Sequence, residues 1–196
     1  MTLSHTMLAD AVWAPKQSNR LVRPIVLAVA GSLLIALSAR IQVPMWPVPV
    51  TMQTFAVLFL SLAYGPRLAF STVALYLAQG AVGLPVFASG GGLSYIVGPT
   101  GGYLVSYMVA ALLVGWLARQ GWGRPIPRVF AAMILGSAII YLIGAGWLAV
   151  FIGLEKAVSL GVLPFLFGDL LKATLAAAIL PAIWNGYHKT DSAPRK

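Results

Sequence analysis

The chain has 196 residues, of which 60% are hydrophobic and 9% charged, with a mean hydropathy of +0.89, so an ordinary soluble domain is excluded and a multi-pass membrane protein is expected. It has no cysteine, which excludes disulfides, thiol nucleophiles and cysteine metal sites. Its formal charge of +9 predicts membrane orientation rather than nucleic-acid binding, because the basic residues cluster beside apolar runs.

The chain begins with a polar leader, residues 1–22, whose Lys16 and Arg20 predict a cytoplasmic position. The apolar run 24–43 predicts the first membrane span. A basic leader, an apolar run and the sequence Ala36-Leu37-Ser38 also resemble a cleavable signal peptide. We favour a retained helix, because its removal would leave an odd number of spans and disturb the charge pattern described below.

Small residues recur every four positions in the first span, at Ala28, Ser32 and Ala36. Such a ridge allows a second helix to approach closely. We expect it to contact a partner protein, with packing inside the same bundle as the alternative.

Five further spans are predicted, separated by segments that break helices. Residues 40–50 contain three prolines and a tryptophan and predict a loop at the membrane interface. Residues 83–102 are rich in glycine and carry no charge, which indicates a lid-like loop, or alternatively a mobile surface loop. The predicted spans after the first are residues 51–64, 68–82, 103–118, 129–152 and 162–184.

The basic residues predict the orientation of these six spans. With both termini inside, two basic residues, Arg40 and Lys156, lie outside, and Lys172 lies within the last span. The positive-inside rule favours this all-α, six-helix topology, with a transmembrane domain over residues 23–185 and a cytoplasmic tail over 186–196. The ten basic residues placed inside are Lys16, Arg20, Arg23, Arg67, Arg119, Arg124, Arg128, Lys189, Arg195 and Lys196.

Two opposite charges, Asp169 and Lys172, lie inside the last predicted span. A spacing of three places both side chains on one helix face, where they partly neutralise each other. Each charge at a helix centre costs about 2.5 to 3.5 kcal/mol, so the pair is expected to face a cavity and to mark a functional site. A purely structural ion pair between helices is the alternative.

Other polar and aromatic residues are expected at the same outer half of the bundle, and they predict a small-molecule pocket. Gln53, with Thr54 beside it, and Gln79 lie near the outer ends of spans two and three, and Phe87 and Tyr95 lie in the long loop. An anionic, amide-like or urea-like ligand would suit such groups. The glutamines could instead bridge helices, and the two aromatic residues could anchor the loop at the interface.

Enzyme functions fit the sequence poorly. Asp169 is the only acid in a predicted span, which excludes a protease with two shared carboxylates. The glycine-rich residues 98–102 lack a following Lys-Ser/Thr, and no zinc pattern occurs. We therefore expect no catalysis, cofactor or metal. A secondary transporter or channel with Asp169 as proton relay, and a membrane enzyme for lipid-like substrates, remain as alternatives.

Three motifs in order resemble the BioY family, the biotin-binding S components of energy-coupling-factor (ECF) vitamin transporters. They are IQVPMWPVPVTMQTF from residue 41, GLPVFASGGGLSYIVGPTGGY from residue 83 and FGDLLKA from residue 167. The resemblance covers about residues 24–184. Together the three motifs are specific, whereas each alone would be weak.

The resemblance implies a six-helix protein of the bacterial cell membrane that binds biotin from outside. It implies a transmembrane coupling protein and cytoplasmic ATPase subunits as partners, with ATP used only by those subunits and the S component tipping over in the membrane to deliver biotin. Asp169 and Lys172 match the family's ligand-contacting pair, and Ala28, Ser32 and Ala36 match alanines that meet the coupling protein, with Ser32 as a departure. Self-association, uptake without a coupling module and another vitamin as ligand remain open.

Overall fold

Helices make up 81% of the part of the chain that the computed structural model describes, which is residues 7–12 and 22–191. A two-stranded hairpin completes the secondary structure of this part. The elements in order are α1 (Leu8–Val12), α2 (Val22–Arg40), β1 (Gln42–Val43), β2 (Val50–Thr51), α3 (Gln53–Tyr64), α4 (Pro66–Ala81), α5 (Leu93–Val97), α6 (Gly101–Leu117) with a π-helical turn (Ala118–Trp122), α7 (Ile126–Ile152), α8 (Leu154–Gly161) and α9 (Leu163–Asp191).

All six predicted apolar runs are helical, and they correspond to α2, α3, α4, α6, α7 and α9. In the described residues, four stretches are long and apolar enough to cross a membrane. These stretches are Val22–Arg40, Gly101–Trp122, Ile126–Ile152 and Leu154–Tyr187. The last helix continues to Asp191, beyond the predicted end at residue 184, and it contains Pro181 without ending there.

Helices α3 and α4 are shorter than a full span. Their 12 and 16 residues correspond to about 18 and 24 Å, whereas the hydrocarbon core of a bilayer is about 30 Å thick. A sharp turn joins them, with Gly65 at φ +77° and Pro66 as the first residue of α4. Nine of the twelve α3 residues are buried, so α3 lies inside the bundle rather than on its surface.

The segment predicted as an interfacial loop, residues 40–50, contains the hairpin. Gln42 pairs with Thr51 and Val43 with Val50 in antiparallel register. Its three prolines, Pro44, Pro47 and Pro49, all lie in the connection between the strands, where they do not interrupt the backbone pairing. The hairpin leads directly into α3.

The glycine-rich loop, residues 83–102, is docked on the bundle. Tyr76 donates a hydrogen bond to the Val86 carbonyl at 3.2 Å, and Trp147 donates one to the Gly98 carbonyl at 2.9 Å. Arg40 donates to the Pro85 carbonyl, and Gln42 donates to the Ala88 carbonyl at 3.2 Å. The loop is thus held from α2, β1, α4 and α7, and it contains the short helix α5.

Part of the leader also packs on the bundle, although its sequence reads as polar. Met7 and Leu8 are buried, and the Met7 sulfur lies beside Gly65. Arg23, at the start of α2, forms an ion pair with Asp10, with 2.8 Å between its guanidinium nitrogen and Asp10 Oδ1. Residues 1–6 and 13–21 of the predicted leader, and residues 192–196 of the predicted tail, lie outside the described residues.

The small-residue ridge of α2 faces the protein rather than its surroundings. Ser32 is 0% exposed, and Ala28 and Ala36 are half-buried. The exposed side of α2, away from Ser32, carries larger residues such as Leu33, Leu34 and Leu37. Ser32 is buried in this structure, as packing inside the bundle would require. Partner contact through Ala28, Ser32 and Ala36 stays a prediction.

Candidate ligand cavity

A cavity lies between the hairpin, the glycine-rich loop and the helices next to them. It has about 460 Å³ of empty space, a volume that includes the open solvent at its mouth. The hairpin, the loop, α3, α6, α7 and α9 form its walls. The lining residues include Thr51, Gln53, Thr54, Ala88, Thr100 and Tyr107.

The charged pair of α9 forms the centre of a hydrogen-bonded cluster behind one wall of this cavity. Lys172 Nζ donates to Asp169 Oδ1 at 2.6 Å and to the Thr54 hydroxyl at 2.8 Å. The Thr54 hydroxyl also lies 3.1 Å from Asp169 Oδ1. Tyr141 on α7 donates to the other carboxylate oxygen, Asp169 Oδ2, at 2.5 Å. Asp169 and Lys172 are 4% and 7% exposed, so the cluster is shielded from solvent.

The pair reaches the cavity through its two hydroxyl partners. Thr54 and Tyr141 both line the cavity, whereas Asp169 and Lys172 lie directly behind them. Lys172 also lines a second, largely apolar cleft between the hairpin and α9, with about 740 Å³ of empty space counted with the surroundings it opens to. Lys172 therefore borders an opening of its own, whereas Thr54 and Tyr141 separate Asp169 from the cavity. Direct contact of either charge with a ligand stays a prediction.

Gln53 lies in the cavity wall, as the sequence predicts. It is 3% exposed, its side-chain amide donates to the Tyr76 hydroxyl, and its side-chain oxygen accepts from the Thr51 hydroxyl at 3.3 Å. The Tyr76 hydroxyl in turn donates to the Val86 carbonyl, which connects this hydrogen-bond network to the loop. Gln53 therefore links the cavity to the docked loop, so the two expectations for it, ligand contact and helix bridging, are compatible.

The other predicted site residues occupy different places. Tyr95 lines the cavity, and its ring lies 5.1 Å from that of Phe87. Phe87 is fully buried between Tyr95 and Tyr76, outside the cavity wall, and it anchors the loop. Gln79 does not line the cavity; within the described residues its buried Oε1 has no hydrogen-bond partner. Ligand contact by Gln79 stays a prediction.

Aromatic residues that the sequence did not single out form the apolar wall. Phe165 lies between Tyr103 and Tyr141, with ring centroids 6.2 and 6.4 Å away. Tyr103 is fixed by a 2.8 Å hydrogen bond to the Gly161 carbonyl. Tyr141 carries a hydroxyl in the middle of the long apolar helix α7, and this was the one sequence feature that could have marked it as a site residue. Its partner Asp169 is 28 residues away in sequence, so the sequence alone does not reveal their contact.

A protein-family comparison decides the class of this protein. The model of the BioY family matches residues 8–189. The chain belongs to the BioY family. The match includes the hairpin, the glycine-rich loop and the Asp169 cluster. The family assignment that the three motifs indicated is thus confirmed. The names of the chain's relatives describe transporters, not enzymes.

Curated relatives within the BioY family extend over most of this chain. A probable biotin transporter from Pyrococcus horikoshii is 42% identical over 147 residues, which is 74% of this chain and 86% of the relative. A biotin transporter from Thermotoga maritima is 37% identical over 160 residues, which is 81% of this chain and 94% of the relative. With its apolar helices, this BioY family member is a multi-pass membrane protein.

A solved structure has the same fold. A crystal structure of the S-component for biotin from an ECF-type ABC transporter superposes with a TM-score of 0.73 at 23% identity. The match covers 87% of this BioY family member and 95% of that chain. The helical bundle found here is therefore the fold of that S-component.

Proposed function

We propose that this chain is the biotin-binding S component of an ECF-type importer. It binds biotin in the cavity under the hairpin and the glycine-rich loop. The observation that carries this proposal is the polar wall of the cavity, which we call the inner wall. The Gln53 amide and the hydroxyls of Thr54 and Tyr141 line it, and the charged pair of Asp169 and Lys172 lies directly behind them. The names of the curated relatives and of the matched structure support biotin as the ligand.

The chemistry of biotin complements this wall. Its ureido ring offers two N–H donors and one carbonyl oxygen, and its thiophane ring is apolar. In our proposal, the N–H groups bond to the Asp169 carboxylate and the Tyr141 hydroxyl oxygen, and Lys172 or Gln53 donates to the ureido carbonyl. The thiophane ring packs on the aromatic wall formed by Phe165, Tyr103 and Tyr141.

We further propose six membrane crossings with both termini inside. Helices α3 and α4 would form the two crossings that are short by themselves, because the hairpin and the loop complete them on the outer side. Arg67, Arg124 and Arg128 then lie inside, whereas Arg40 and Lys156 lie outside, in agreement with the positive-inside rule. The cavity opens outward under this orientation.

We propose that uptake is driven by partner subunits. The matched S-component belongs to an ECF-type ABC transporter, which implies a membrane-embedded coupling protein and ATPases. The exposed side of α2 with Leu33, Leu34 and Leu37 is available for lipid or for such a protein. Autonomous transport through Asp169 is the second candidate, because this carboxylate lies buried between two openings.

Binding and uptake measurements test these proposals separately. The purified chain in lipid nanodiscs should bind biotin saturably in calorimetry and should not bind thiamin, a cationic vitamin. Mass spectrometry of the purified protein should reveal retained biotin. Absence of biotin binding would refute the ligand assignment. In cells, uptake that stops on loss of ATP supports partner subunits, whereas uptake that stops only with an uncoupler supports autonomous transport.

Replacing Tyr141 with phenylalanine should weaken biotin binding by about 10- to 100-fold, since a hydrogen bond to a charged group contributes about 1.5 to 3 kcal/mol. The substitution removes the donor to Asp169 Oδ2 and keeps the ring that packs on Phe165. Calorimetry measures the effect. Tyr187→Phe, outside the cavity, serves as the matched control, and equal binding by both variants would exclude Tyr141 from the site.

A further inference from the structure

The polar groups of the cavity are unevenly distributed. The charged pair and the hydroxyls of Thr54 and Tyr141 form one cluster at the inner wall. The cavity lining contains no lysine or arginine among the described residues. Lys172, behind the inner wall, is the one cation that the described contacts connect to the cavity.

The outer side of the cavity adjoins an open cleft. This cleft has about 550 Å³ of empty space, counted with the solvent it opens to, and it shares Tyr95 and Thr100 with the cavity. Its remaining lining residues are Gly91, Ser94, Gly98 and Pro99, and all six are exposed or half-buried. No charged side chain lines it within the described part of the chain.

This distribution determines which end of biotin can lie at the inner wall. A carboxylate placed beside Lys172 would also lie beside Asp169, whose Oδ1 is 2.6 Å from the same ammonium. Two carboxylates sharing one cation repel each other, and burying a second anion there carries a large desolvation cost. A neutral ureido ring meets no such repulsion. The carboxylate tail is therefore directed towards the open cleft, where water solvates it.

We infer that this protein also binds biotin amides, in which the tail carboxyl is joined to an amine, as in biotinyl-lysine from degraded biotinylated proteins. The inference rests on the proposed function and extends its substrate class. A cleft without a cation does not require the tail to be charged, and its opening leaves room for an added group. Selectivity for biotin and its amides over other vitamins then comes from hydrogen bonds between the ureido ring and the buried cluster.

Competition against labelled biotin on the full chain in nanodiscs tests the inference. Biotinamide and biotinyl-lysine should bind within about tenfold of biotin, whereas biotin methylated on a ureido nitrogen should bind about 100-fold weaker or worse, because a buried acceptor loses its donor. Biotin binding combined with at least about 100-fold weaker binding of both amides would overturn the inference alone. Failure of biotin itself to bind would remove the proposed function as well.

A variant in the cleft tests the direction of the tail. Ser94→Trp should weaken biotinyl-lysine at least about tenfold and change biotin itself less than about threefold, because Ser94 borders the open part of the cleft, where only the added lysine extends beyond the biotin carboxylate. Ser159→Trp on α8, which is also exposed, should change neither ligand. No effect of Ser94→Trp on biotinyl-lysine would show that the tail does not leave through this cleft. An equal loss for both ligands would show that the cleft has no room beyond the biotin carboxylate, which would overturn the inference.

Discussion

Replacing Asp169 with asparagine is expected to abolish high-affinity biotin binding. The substitution leaves Lys172 buried at 7% exposure without its carboxylate partner, and it replaces one of the two oxygens that accept from the Tyr141 and Thr54 hydroxyls with an amide donor. Breaking a buried ion pair from one side costs about 3 to 5 kcal/mol, which corresponds to more than about 100-fold in affinity if the cost falls on binding. Calorimetry with biotin and thermal unfolding in the same detergent separate an effect on binding from an effect on folding.

A double variant distinguishes a ligand site from a structural ion pair. Asp169→Asn combined with Lys172→Met removes both charges, so no unpaired charge remains and thermal stability should recover in large part. Biotin binding should not recover, because the groups proposed to contact the ureido ring are still missing. Parental biotin affinity in the double variant would show that the pair only braces α9 against α3 and α7.

The sequence is sufficient for features whose signal is local. Apolar runs predict the six helices, and a charge pair three residues apart in an apolar helix predicts the buried Asp169 and Lys172. The prolines of residues 40–50 predict the helix break, but they do not predict the hairpin that fills it. The hairpin is held by backbone pairing of Gln42 with Thr51 and of Val43 with Val50, and the prolines that break the helix give no information about these pairs.

The remaining parts of the site depend on tertiary contacts. Thr54 and Lys172 form a hydrogen bond although they are 118 residues apart in sequence, and Tyr141 and Asp169 do so at a separation of 28. Contacts at such separations have no periodic pattern in a single sequence. Phe87 illustrates the opposite case. An aromatic residue in a glycine-rich loop suggests a ligand contact, yet its ring fills a notch that Gly80 leaves on α4, where a Cβ atom would lie 1.9 Å from the Phe87 ring. A residue of this kind is an anchor of the loop, which positions the site without lining it.

Replacing Phe87 with alanine is expected to release the glycine-rich loop from the bundle. The ring is 0% exposed and lies 5.5 Å from Tyr76 and 5.1 Å from Tyr95, so its removal should cost about 3 to 5 kcal/mol. Most of this cost should fall on loop docking, because the helices do not depend on the loop for their own hydrogen bonds. Hydrogen exchange over residues 83–100 should accelerate by more than about 100-fold, and biotin should dissociate faster because the loop covers the cavity.

Gly80→Ala tests the same anchor from the other side, because the added methyl group occupies the place of the Phe87 ring. Overpacking of this kind costs about 1 to 3 kcal/mol, so a smaller acceleration of loop exchange is expected. Two matched controls should leave the loop unchanged. Leu84→Ala alters an exposed side chain of the same loop, and Gly146→Ala adds a methyl group to α7 where no atom lies within 4 Å. Unchanged loop exchange in both Phe87→Ala and Gly80→Ala would mean that the hydrogen bonds between loop and bundle suffice to hold the loop in place. These include the side-chain bonds of Arg40, Gln42, Tyr76 and Trp147 and the bond from the Gly92 N–H to the Gly80 carbonyl.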